Sequence, residues 1–107
     1  MKILLTSLLI FISFSSNAFT GSELYGYFEE HNAVDPTWKE GIYQGYVKGV
    51  TDAYYEAGLF CNPNGVTNLQ AFDMVGKYLK DKPETRHLNA ALLVYKSLID
   101  VHSCEEE

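Results

Sequence analysis

Cys61 and Cys104 are the two cysteines of this chain, and the stretch between them reads as two helices joined by a turn. Paired, they tie the start of one helix to the end of the next, which leaves little but a small helical bundle open to the chain. Whether they pair depends on the compartment. Lys2 precedes an apolar run from Ile3 to Phe14, followed by Ser15-Ser16-Asn17-Ala18. That run is shorter than the roughly 20 residues a bilayer span needs, and Ser16-Asn17-Ala18 satisfies the small-x-small rule. Residues 1–18 therefore read as a secretory signal peptide cleaved after Ala18. No cysteine follows to carry a lipid and no later apolar run is long enough for a membrane span, so the expected product is one exported, soluble domain, residues 19–107. In an oxidising compartment a Cys61–Cys104 disulfide is the economical assignment. It closes a loop of 43 residues, which chain entropy makes worth roughly 4 kcal/mol. For a domain that buries only about 60% of its unfolded surface, that is a large share of stability.

The net charge is −6, with 14 acidic residues against eight Lys plus Arg. Nothing resembles a basic stripe able to displace counterions from phosphates, so nucleic acid and anionic lipid surfaces are poor partners and a basic partner is a better one. Glu105, Glu106 and Glu107 read as a solvated terminus.

The periodicity is helical throughout, with no alternating run of strand type. A first helix is expected from Ser22, acting as N-cap, to about His31, with Leu24, Tyr27, Phe28 and Ala33 apolar; Asp35-Pro36 ends it. A second should run from Thr37 or Trp38 to Ala57, its inner face made of Ile42, Tyr46, Gly49, Val50, Ala53 and Ala57, with Gly58 as the stop. Gly41, Gly45 and Gly49 form a ridge without side chains, suited either to tight packing on a helix of the same chain or to a dimer contact. Asn62-Pro63-Asn64-Gly65 is a cluster of turn formers. Thr67 and Gln70 make a capping box that opens a third helix, to about Lys80, with Leu69, Phe72, Val75 and Leu79 inside. Pro83 suits the first turn of a last helix that runs unbroken to about His102. One face carries Leu88, Ala91, Leu92, Tyr95, Leu98 and Ile99; the reverse is also apolar at Ala90, Leu93 and Val94, which points to a central helix or a subunit interface.

Chemistry finds little to stand on. A nucleophilic cysteine would need a base from His31, His87 or His102, and a thiol that a disulfide consumes. Zinc would need closer paired spacings than Cys61, Cys104, His87 and His102 offer. Asp52, Asp73 and Asp100 are helical positions without evident convergence; Asp52 follows the glycine ridge and is expected to meet Arg86 or a backbone donor. No phosphate loop, dinucleotide fingerprint or calcium loop is present, so neither enzyme activity nor a metal or other cofactor is expected. Of the eight tyrosines, Tyr46 and Tyr95 read as core, while Tyr43, Tyr54 and Tyr55 lie at or beyond the margin of the apolar face. Such amphipathic rings suit a protein interface, and scattered exposed tyrosines are equally ordinary.

The run Gly45-Tyr46-Val47-Lys48-Gly49-Val50-Thr51-Asp52, followed by Cys61-Asn62-Pro63, Val66-Thr67, Gln70, Tyr78-Leu79, Pro83, Arg86, Ala91, Leu93-Val94 and Cys104, resembles the Rap/Tai immunity proteins of type VI secretion amidase effectors. The resemblance covers about two thirds of residues 19–107. It implies a small all-α, single-domain bundle of about four helices stapled by one disulfide, in the periplasm and usually a homodimer. It also implies the function of binding a peptidoglycan amidase delivered by a neighbouring cell and blocking its active-site cleft, with no catalytic residue of its own. Where the family commonly has an aromatic and a proline before the last cysteine, this chain has Val101-His102-Ser103. Partner contacts are expected from the loop holding Asn62, Asn64 and Gly65, from Asp81, Lys82 and Glu84, and from Tyr55. The alternative is a periplasmic binding or assembly module of the same fold with no toxin partner.

Overall fold

In the computed structural model, which describes residues 18–31, 35 and 37–104, Thr20 and not Ser22 caps the first helix. Thr20 Oγ1 accepts from Glu23 N at 3.2 Å, and the Glu23 carboxylate accepts from Thr20 N at 2.9 Å. This capping box starts α1, Gly21–Phe28. Ser22 lies inside the helix because the first-turn donors have distant partners: Gly21 N donates to Leu88 O at 2.9 Å and Ser22 N to Arg86 O at 2.8 Å. The helix loosens into a turn before His31, whose N–H reaches Phe28 O. Residues 1–17 of the signal peptide, Ala33, Pro36 and the tail from Glu105 to Glu107 lie outside the described residues.

The second helix, α2, spans Trp38–Glu56 from a Thr37 cap and ends before Gly58, whose φ of +76° favours glycine. Its boundaries are those expected, but its buried face is not. Tyr43, Val47 and Thr51 point inward, whereas Ile42, Gly49, Ala53 and Ala57 are exposed and Tyr46 and Val50 are half-buried. Counting glycine and alanine as apolar tilted the expected face. What decides it is Tyr43, fully buried, whose O–H donates to Phe72 O at 2.5 Å; one aromatic ring carries more apolar area than several small residues. The ridge of Gly41, Gly45 and Gly49 thus faces outward, where a Cβ would meet nothing within 4 Å among the described residues, so it does not pack on any of the described helices. Close approach occurs instead at Gly76, because the Phe28 ring of α1 occupies the place of its missing Cβ.

The third helix, α3, spans Asn68–Asp81 and begins with the expected Thr67–Gln70 capping box. Ala71, Phe72, Val75, Gly76 and Leu79 are buried, while Leu69 is exposed because its stripe continues past the end of the core. The last helix is not continuous. Pro83–Thr85 makes a 3-10 turn, and α4 spans only Ala90–His102. Between them the Arg86 and Leu88 carbonyls turn towards the start of α1, and Ala90 N donates to Phe19 O at 2.7 Å. Ala90, Leu93, Val94, Leu98 and His102 are the buried side of α4; Leu92, expected inside, is exposed, and Ala91, Tyr95 and Ile99 are half-buried.

The four helices enclose one core running from Leu24 through Tyr43, Val75 and Leu79 to Leu93 and Leu98. Among the described residues there is no strand, only an isolated bridge between Thr20 and Asn89. Cys61 and Cys104 are joined, with Cα atoms 4.9 Å apart. The Val101-His102-Ser103 departure leaves this closure intact, since α4 runs to His102 and the His102 carbonyl accepts from Cys61 N at 2.7 Å. No described helix is long and apolar enough to cross a membrane. Over the described residues the architecture is the expected all-α bundle of four helices and one disulfide.

Candidate partner-binding site

The loop after Cys61 is shaped by its own side chains. Asn62 Nδ2 donates to Val66 O at 3.0 Å and Asn62 Oδ1 accepts from Val66 N at 2.9 Å, while Gly65, at φ +67°, completes the turn. Asn64 and Gly65 are left exposed on this loop. Because the disulfide fixes its first residue to the end of α4, the loop stands against α2 and forms one wall of a cleft of about 310 Å³.

The opposite wall is α2. Val47, Lys48, Thr51, Asp52 and Tyr55 line it; Val66, Ala71 and Phe72 add apolar surface, and His102 also contributes. Lys48 Nζ and Asp52 Oδ1 pair at 2.6 Å, one helical turn apart and both well exposed. Thr51 is 7% exposed, and its hydroxyl has no hydrogen-bond partner among the described residues. Tyr55 Oη and His102 Nδ1 share a hydrogen bond at 3.3 Å. Burial pushes the His102 pKa below its ordinary value, against a hydrogen bond to the Cys61 backbone that favours the charged form. Burial likewise raises the Tyr55 phenol, with the charges of Lys48 and Asp52 acting in opposite senses.

The structure thus brings two of the expected contact residues, Asn62 and Tyr55, to one cleft. Asp81, Lys82 and Glu84 lie at the other end of α3, a helix of 14 residues and so about 20 Å long. There Asp81 pairs with Lys77 at 2.6 Å, and that hydrogen bond holds its carboxyl below the usual range. Lys82 Nζ sits 5.6 Å from the centre of the Tyr78 ring, and Glu84 is exposed.

Asp52 does not meet Arg86, as its sequence position suggested. Arg86 instead closes the C-terminal end of α3: Nε donates to Leu79 O at 2.7 Å, Nη2 to Lys80 O at 3.1 Å, and the guanidinium lies over the Tyr25 ring at 4.0 Å. Such a cation at a helix C-terminus satisfies orphan carbonyls and opposes the negative end of the dipole. Asp73 is drawn to the buried His31, whose Nε2 it meets at 3.2 Å, while Asp100 is exposed on α4. The disulfide takes up both thiols, and among the described residues no group of three or more His, Cys, Asp or Glu could hold a metal ion.

The polar cleft residues that the sequence did not point to as contacts are Lys48, Thr51, Asp52, Thr67, Asn68 and His102. A signal was available for some of them. The i,i+4 spacing of Lys48 and Asp52 is legible, and Lys48, Thr51, Asp52, Asn62, Val66 and Thr67 all lie in the stretches that carried the family resemblance. Nothing in the sequence marks the Thr51 hydroxyl as unpaired.

The family model of the Rap1a immunity proteins matches residues 20–104. No curated protein matches the chain.

Proposed function

The chain belongs to the Rap1a immunity proteins, whose family model covers it from residue 20 to residue 104, and on that membership we propose that it protects the periplasm against a type VI secreted peptidoglycan amidase. The protein binds the effector and blocks its active-site cleft. The family match is the observation that carries this reading. An immunity protein acts by occupation and not by turnover, which suits a chain whose thiols are held in a disulfide and whose Asp52, Asp73 and Asp100 do not converge. Its charge of −6 favours steering towards a basic effector. Two surfaces are assigned to the contact: the loop of Asn62, Asn64 and Gly65 together with Tyr55, and the group Asp81, Lys82 and Glu84. The outward face of α2, with Trp38, Ile42 and the glycine ridge exposed, is assigned to a homodimer contact.

Co-expression tests the reading. Cells exporting the amidase effector proposed as its partner are expected to lyse without this protein and to grow with it. Continued lysis, with no complex recovered, would favour an assembly module of the same fold that has no toxin partner.

A further inference from the structure

Thr51 lies in the middle of α2, more than nine-tenths buried, with a hydroxyl that pairs with no described group. A buried hydroxyl without a partner is costly, and a group that completes it on binding gains accordingly. It borders the cleft beside the loop from Asn62; the oxygen itself is closed to solvent, so a partner from outside the chain reaches it as the Thr51 side chain turns its hydroxyl towards the cleft. Its neighbours supply the other parts of a receptor. The Asp52 carboxylate is engaged by Lys48 through one oxygen only. That pair is exposed and one turn apart, the kind that contributes little and exchanges readily. Val66 and the edge of Phe72 give an apolar surface able to cover methylene groups. His102, its pKa lowered by burial, adds no positive charge at neutral pH.

We infer that this cleft is a receptor for one basic side chain of the protein partner, arginine in preference to lysine. Its stem lies along Val66 and the edge of Phe72, its charge pairs with Asp52, and one N–H donates to the Thr51 hydroxyl once that has turned towards the cleft. Arginine is preferred because the guanidinium fork donates to two acceptors at once. A chain of net charge −6 draws cations towards such a site. Lys48, on a flexible and half-exposed stem, gives up Asp52 and swings into solvent. An anion would instead have to displace Asp52 and approach a negative molecule. The inference rests on the immunity reading only in assigning the arginine to the effector; the site is testable without one.

The test is an amide NMR titration of the exported chain with three capped amino acids: Nα-acetyl-arginine methylamide, its neutral citrulline isostere, and the glutamate equivalent. The arginine probe is expected to give weak, saturable shifts confined to Thr51, Asp52, Tyr55, Asn62 and Val66. Asp52→Asn, an exposed change that leaves the core alone, should weaken that binding about tenfold, the scale of one charge-assisted hydrogen bond. Thr51→Val should weaken it too, and Lys48→Gln should leave it unchanged or tighten it. Saturation by the glutamate probe with loss in Lys48→Gln would make this an anion site and overturn the proposal. Equal binding of citrulline and arginine would overturn it as well. So would the absence of any saturable shift up to tens of millimolar, which would mean that Thr51 bonds only water. Failure of the arginine probe removes the site and leaves the immunity reading standing; failure of protection in cells does the reverse.

Discussion

His102 converts burial into a pH dependence. It is 1% exposed at the end of α4, and desolvation lowers its pKa from 6.5 in spite of the hydrogen bond to the Cys61 backbone. The unfolded chain takes up this proton as the pH falls through about 6.5, while the folded chain takes it up only at lower pH. The stability it contributes is therefore present above 6.5 and lost between there and the lowered folded value, at no more than about 1.4 kcal/mol per pH unit for one proton. Urea melts at about pH 7.5 and about pH 5.5 should show a loss in the wild type that His102→Gln reduces; an equal loss in both proteins would contradict the assignment. At this scale the sequence was legible where a residue acts locally and opaque where it acts through space. Thr67 and Gln70 announced their capping box because both partners lie within one turn. Tyr43 did not announce itself as core, because its burial depends on a carbonyl 29 residues away, that of Phe72.

Helix starts and stops followed the same division. Those of α2 and α3 came from Thr37, Gly58 and Thr67, residues whose preferences operate on their own neighbours. The break between Pro83 and Ala90 was hidden, because an apolar periodicity continues through it. What interrupts the helix is the use of the Arg86 and Leu88 carbonyls by donors of α1, with Ser22 and Arg86 64 residues apart in the chain. The orientation of α2 is not legible from its apolar period, because the glycines and alanines that share that period bury little area. The candidate site was legible at Asn62 and Tyr55, and at the turn formers that place the loop; the cleft itself needed α2 and the loop to be brought together. The element that does this is the disulfide. Reducing it, or making Cys104→Ser, should lower the unfolding free energy by about 2–5 kcal/mol. It should also speed amide exchange at Cys61, whose N–H is bonded to His102 O. Denaturant melts with and without reductant check the first, and an unchanged midpoint would show that the loop closed by Cys61 and Cys104 is not what holds the domain.

The whole molecule is an acidic helical bundle with a sealed core, a cleft beside its stapled loop, and a second group of exposed charges at the far end of α3. Its fold could be read early because helical period, caps and a cysteine pair agree with one another. Its target could not, since packing leaves exposed side chains such as Asn64, Lys82 and Glu84 free to vary. Membership in the Rap1a immunity proteins gives the class of action, and binding chemistry has to supply the rest. The most direct measurement titrates the purified protein into the amidase effector proposed as its partner while peptidoglycan hydrolysis is followed. Hydrolysis should fall in proportion to added protein and stop when the effector's sites are filled. Full hydrolysis in the presence of a large excess would contradict the account.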